Sequence, residues 1–118
     1  MIIHGAEITK DMPPGHANAL FIKDANLLNH EDPLTAYRAA KKQGAFVFWN
    51  HPNWIQQQEN AKPVISTLHQ QLMDEDLLHG IEVVNDITYS EHNFELAMKH
   101  GLTAVSYTHL TLPTKRIV

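Results

Sequence analysis

Glu7, His16 and His51 are the residues of this chain whose types best suit the holding of a metal ion. Hard and borderline divalent cations take carboxylate oxygen and neutral imidazole nitrogen, and one carboxylate can bridge two ions. The chain has no cysteine, which excludes thiolate sites and a disulfide framework and leaves imidazole and carboxylate as the available ligands. Nine histidines are an excess for 118 residues, although several fall on predicted helices where an imidazole is ordinarily solvated. His16 and His51 lie nine and forty-four positions after Glu7, spacings that belong to no local motif. Only a fold that gathers separate strand or loop ends can bring the three together.

The surrounding pattern supplies such ends. Ala45 to Phe48 is a continuous apolar run, with Gly44 before it and Trp49 after it, and reads as a strand buried on both faces. Pro52 cannot donate to a ladder, so the strand stops at Asn50-His51 and leaves the imidazole at its C-terminal edge, where α/β proteins bind ligands. Glu7 falls near the end of a first strand, Met1 to Thr9, and His16 follows Pro13, Pro14 and Gly15 to open a second, Ala17 to Lys23. Asp32 and Pro33 form a helix start, with Leu34, Tyr37, Ala40 and Lys41 at helical spacing and Gly44 closing it. The polar stretch Gln56 to Asn60 reads as a loop. A helix over about Val64 to Leu77 leads through Gly80 into a strand, Ile81 to Asn85. Ser90 caps a helix running to His100 and closed by Gly101, after which Leu102 to Val105 begins a last strand. Helix, glycine and strand thus recur at Gly44, Gly80 and Gly101, which predicts βα units with parallel strands in either a barrel or a doubly wound sheet.

Composition sets the frame. A length of 118 residues allows one small α/β domain, and 43% hydrophobic with 19% charged residues suits a globular core. A net charge of -4 without a basic cluster argues against nucleic acid or an anionic membrane as partner. No apolar run approaches the length of a membrane span and no signal peptide is visible at Met1; the compartment stays open.

Four motifs, Gly5 to Thr9 (GAEIT), Met12 to His16 (MPPGH), Phe48 to Pro52 (FWNHP) and His79 to Asn85 (HGIEVVN), resemble the polymerase-and-histidinol-phosphatase (PHP) domain family. More narrowly, they are similar to its bacterial phosphodiesterase-like members. The resemblance covers nearly all of residues 1–104 in the right order. It implies a fragment of a distorted, TIM-like (β/α)7 barrel with parallel strands, holding two or three Zn, Mn or Fe ions. It also implies hydrolysis of phosphodiester or phosphomonoester bonds by metal-activated water. On that resemblance Glu7 matches the bridging carboxylate, and His16 and His51 match ligands sharing a metal with it. Asn85, Trp54 and Lys10 are the residues expected to meet a small phosphorylated substrate or to orient a ligand. Two other readings stay open: a metal-dependent amidohydrolase-like barrel, and a non-catalytic module that binds metal or phosphate.

The resemblance also implies ligands outside this chain. The family's His-x-His pair precedes the strand that starts here, and its Asp-x-His follows the strand after Gly101. Residues 1–104 are therefore expected to be a partial domain, an internal slice of a longer enzyme and inactive alone. Val105 to Thr114 resembles a translated sequencing-library adapter, so residues 105–118 are expected to be a non-native tail that docks nowhere and leaves His109 without function. The alternative is a genuine C-terminal strand with a polar end.

The other polar residues have plainer expected roles. His69, His79, His92 and His100 are expected to be solvated on or beside helices, and His4 to be a core or interfacial histidine of the first strand rather than a ligand. Trp49 is expected to pack in the core, Glu82 to pair with a lysine or arginine, Lys10 to be a surface lysine by default, and Asn85 to cap a turn as readily as to face a ligand.

Overall fold

Local side-chain chemistry sets the helix ends. The Asp32 carboxylate accepts from Thr35 N at 3.1 Å and from Thr35 Oγ1 at 2.7 Å, and Pro33 occupies the first turn of α1 (Pro33–Lys42). Ser90 Oγ accepts from Asn93 N at 3.2 Å to start α3 (Glu91–His100), which Gly101 ends in the left-handed region at φ 69°. Between them, α2 (Thr67–Asp74) is shorter than the predicted Val64 to Leu77. Ser66 takes the capping position, and Asp76, at φ 58°, turns the chain out of the helix.

The computed structural model describes residues 4–52, 63–85, 88–107 and 114–117. Its strands are β1 (Gly5–Ile8), β2 (Ala17–Leu20), β3 (Phe46–Trp49), β4 (Gly80–Asn85), β5 (Thr88–Tyr89), β6 (Thr103–Tyr107) and β7 (Thr114–Ile117), and a short 3-10 turn covers Ala25–Leu28. The second strand ends earlier than its apolar pattern suggests, because Phe21 adopts φ 67° and leaves the ladder. His4 lies just before β1 and is exposed, which rules out the core half of the expectation for it.

The strands form one mixed sheet in the order β5-β4-β3-β2-β1-β7, with β6 also on β4. The fold is α/β, but the expectation of parallel strands holds only in part. The β3–β4, β4–β6 and β1–β7 pairs are parallel, whereas β1–β2 and β2–β3 are antiparallel. The physical reason is the connection after β1. Residues 9–16 are too few for a crossover, which needs about a dozen residues or more, so the chain turns straight back.

Alternation gives the sheet two unlike faces. Ala6, Ile8, Ala17, Ala19, Val47, Trp49, Ile81 and Val83 form one face, which packs with Tyr37, Ala40, Leu72 and Ala97 of the helices in the apolar core. Glu7, Asn18 and Phe48 are paired across β1, β2 and β3 on the opposite face, and all three are buried. A second buried face carrying polar side chains is what positions the site.

The described part of residues 105–118 is limited to two strand segments. β6 runs on to Tyr107 along β4, and the backbone of β7 lies parallel to β1 with Ile117 opposite Ile8. An uncovered strand presents free N–H and C=O groups that another extended segment can pair with, and β7 takes that position at β1. His109, Leu110 and Leu112 lie outside the described residues.

Candidate metal centre

Strand register brings the three ligand candidates to one edge of the sheet. Ile8 pairs with Ala17 and Ala17 with Trp49, so the C-terminal end of β1, the N-terminal end of β2 and the C-terminal end of β3 coincide. Glu7 sits one residue inside β1, His16 immediately precedes β2, and His51 follows β3 by two residues. The antiparallel turn after β1, which breaks the βα pattern, is therefore what returns His16 to Glu7.

Glu7, His16 and His51 each offer a ligand atom within 4.8 Å of the others. Atoms sharing a tetrahedral ion at about 2.1 Å per bond lie about 3.4 Å apart, and Glu7 Oε1 stands 3.2 Å from His16 Nδ1. That separation is within ion-pair reach, and Nδ1 is buried with no hydrogen-bond partner among the described residues. An imidazole nitrogen and a carboxylate oxygen close together without a hydrogen bond are a pair of donor types that suits a cation. The His16 and His51 rings meet edge to face, with centroids 5.0 Å apart. Glu7 is 8% exposed, and Thr9 Oγ1 donates to its Oε1 at 3.2 Å, which restrains the carboxylate.

Neighbouring groups fix the loops that carry these ligands. His51 takes φ 30°, uncommon for a residue with a side chain, and its N–H donates to Glu82 Oε1 at 2.7 Å. Glu82 is 1% exposed on β4, so its carboxylate ends the β3 ladder where Pro52 begins to turn the chain away. On the other side, Asn50 N donates to His16 O at 2.9 Å and ties the two histidine-bearing segments together. Gly15 adopts φ 86°, and a Cβ there would come within 2.9 Å of Met12 Sδ and 3.1 Å of Trp49 Nε1.

His69 joins these pieces from α2. It is 1% exposed, and its ring stacks on Trp49 with centroids 4.1 Å apart. Nδ1 accepts from Ser66 N at 3.1 Å, which leaves the proton on Nε2 to donate to Pro14 O at 2.8 Å. Ser66 Oγ in turn accepts from His69 N at 3.1 Å, a capping box with histidine in the acidic position. Burial lowers the His69 pKa below its ordinary value, and the Pro14 hydrogen bond offsets this only in part. The imidazole is a neutral strut between α2, the Pro13-Pro14-Gly15 turn and β3.

Of the secondary candidates only the Lys10 side chain is described. Lys10 Nζ donates to the carbonyl of His30. Asn85 is placed by its backbone at the end of β4, opposite Thr88 and Tyr107, and its side chain lies outside the described residues, as does all of Trp54. His69 is not the solvated histidine expected. Nor is His79, whose Nδ1 accepts from Val47 N at 3.0 Å, and His92 is half-buried, 2.7 Å from the Pro63 carbonyl through Nε2. Trp49 packs in the core as expected, at 1% exposure. Sequence reasoning missed Asn50, His69 and Glu82 as parts of the site's surroundings. The signals were present: His69 stands three residues before buried Leu72 on α2, and Glu82 interrupts an otherwise apolar strand.

The chain is similar to the crystal structure of a two-domain protein from Bacteroides vulgatus that contains a predicted PHP-like metal-dependent phosphoesterase. The two share 41% sequence identity with a TM-score of 0.82 over 92% of this chain, which spans 32% of that protein. No protein-family model matches the chain, and no curated protein does.

Proposed function

Since this chain belongs to the PHP-like family of metal-dependent phosphoesterases, we propose that it supplies part of a divalent-metal centre to an enzyme hydrolysing phosphodiester or phosphomonoester bonds. The observation that carries this reading is the convergence of Glu7, His16 and His51 at one sheet edge, with His16 Nδ1 buried and without a hydrogen-bond partner among the described residues. A divalent ion held there supplies Lewis-acid stabilisation of phosphate charge and lowers the pKa of water. Zn, Mn and Fe all suit the donor set, because imidazole and carboxylate serve each of them.

The roles of the chain's own groups follow from their atoms. Glu7 brings a carboxylate to a mostly buried position, the group type that can bridge two ions. His16 would bind through Nδ1, which leaves its proton on Nε2. Neither His16 nor His51 then serves as a general base, because a ligating nitrogen has no free lone pair. Thr9 and Glu82 hold the carboxylate and the His51 backbone in place, as groups behind metal ligands commonly do.

We read the sheet as part of a distorted (β/α)7 barrel whose interior is the face bearing Glu7 and Asn18. Its burial and polarity support this, since such a face suits an enclosed site better than an open sheet. The chain spans about a third of the Bacteroides protein, and we assign the remaining ligands and strands to a longer parent. Alone, residues 1–104 would hold one ion and turn over no ester. The test is to assay p-nitrophenyl phosphate and its bis-ester with Mn²⁺ or Zn²⁺, using the chain, its full-length parent and Glu7→Gln/His51→Ala variants of both. Metal-dependent hydrolysis by the parent, lost in the double variant, is the expected result. An unaffected double variant would refute the assignment of the site, and equal activity in the chain alone would refute its dependence on the rest.

A further inference from the structure

Asn50 is 1% exposed, and among the described residues neither its amide nitrogen nor its amide oxygen has a hydrogen-bond partner. Folded proteins leave few buried polar groups in that condition, because the group has given up water for nothing in return. Asn18, 2% exposed, leaves its Nδ2 in the same state.

Their positions point to a shared purpose. Asn50 faces His16 across the β2–β3 pairing, through the bond from its backbone N–H to His16 O. Trp49 pairs with Ile81 in parallel register, and the His51 N–H donates to Glu82 Oε1, so Asn50 lies between two residues held against β4. Asn18 is opposite Glu7 in β1 and two residues along from His16, so alternation places it on the face that carries the candidate ligands. Two buried amides with unused N–H donors therefore flank a group of cation ligands. A cation with N–H donors beside it is a complementary environment for an oxyanion, and hydrogen bonds to a charged group strengthen out of water.

We propose that Asn50, assisted by Asn18, contacts the substrate by donating its amide N–H to a phosphate oxygen held at the Glu7–His16–His51 centre. This deepens the phosphoesterase reading and rests on it. Asn50 Oδ1, also unpaired, is left to accept from a protonated phosphate oxygen or a substrate hydroxyl. The same assignment accounts for the unpaired amide: its partner is the ligand, and the protein without ligand bears the cost.

The experiment compares the 118-residue chain with its Asn50→Ala and Asn50→Asp variants. Calorimetric titration measures Mn²⁺ affinity and then inorganic phosphate affinity at saturating Mn²⁺, and thermal unfolding is followed without either ligand. Asn50→Ala should bind Mn²⁺ within about threefold of wild type, weaken phosphate binding tenfold or more, and unfold no earlier, since it removes a group with nothing to lose. Asn50→Asp should keep or tighten Mn²⁺ binding while losing phosphate, because a carboxylate repels the anion. Unchanged phosphate affinity in both variants overturns the proposal. So does earlier unfolding of both in the ligand-free state, which would make Asn50 structural, or a large loss of Mn²⁺ affinity in Asn50→Ala, which would make it a metal ligand. If wild type binds no Mn²⁺, the metal reading fails separately. Phosphate titrated without metal then decides the role of Asn50, and no phosphate binding at all counts against it.

Discussion

Replacing His69 with phenylalanine tests whether a single buried imidazole holds α2, the Pro14 turn and β3 together. Phenylalanine preserves the aromatic stack on Trp49 and much of the volume, so the loss isolates the polar contacts. Two groups lose their partners: the Pro14 carbonyl, 2.8 Å from Nε2, and the Ser66 N–H, 3.1 Å from Nδ1. Each buried group left unpaired costs about 1–3 kcal/mol. Pro14 is buried and Ser66 only half-buried, which places the expected total at about 3 kcal/mol. That is a large share of the roughly 5–15 kcal/mol of a typical domain. Urea unfolding followed by circular dichroism should show a midpoint lower by about 2 M, taking a slope of about 1.5 kcal/mol/M. The dependence on pH adds a second signature. Unfolded His69 takes a proton near its ordinary pKa of about 6.5, whereas folded His69, its pKa lowered by burial, resists it. The unfolded state then binds more protons, so wild type loses stability as the pH falls below that value, by at most about 1.4 kcal/mol per unit for one group. The variant lacks this term, so the gap between the two should narrow between about pH 7 and 5. A midpoint equal to wild type at pH 7.5, or a gap constant with pH, would refute the strut.

Two further substitutions follow from the same geometry. Gly15→Ala places a Cβ at φ 86° against Met12 Sδ and Trp49 Nε1, and should cost about 1–2 kcal/mol in unfolding experiments as well as weakening metal affinity through neighbouring His16. Glu82→Ala leaves the His51 N–H without its 2.7 Å acceptor, and should cost about 1–3 kcal/mol, while Glu82→Gln, which keeps an acceptor oxygen, should restore most of it; equal losses in both would show that the hydrogen bond is not what matters.

The site residues were more legible than the topology that gathers them. Asp32 and Ser90 announced their helices, because an N-cap is a local interaction, and Gly101 announced an end for the same reason. Glu7, His16 and His51 stood out as ligand types at predicted strand ends. The parallel arrangement failed at β1–β2, although the eight residues from Thr9 to His16 could have warned against it. The antiparallel β2–β3 pair was not readable, since the intervening segment is long enough, with α1 inside it, to return either way. His69 was misread because a histidine on a short polar helix is ordinarily solvated. Its burial depends on Trp49 and Pro14, twenty and fifty-five residues away, and no local pattern encodes that contact. Asn50 stood in plain view beside His51, but that its amide goes unpaired among the described residues is a property of the packed sheet.

The central claim is that Glu7, His16 and His51 form one metal centre, and the most direct measurement is Zn²⁺ titration of the chelator-treated chain combined with X-ray absorption at the zinc edge. The account predicts one ion per chain with nitrogen and oxygen neighbours at about 2.0–2.2 Å, two of the nitrogens from imidazole, and a loss of binding of at least tenfold in Glu7→Gln/His51→Ala with the fold retained. Unaltered zinc binding in that double variant, or no binding by folded wild type, would contradict it.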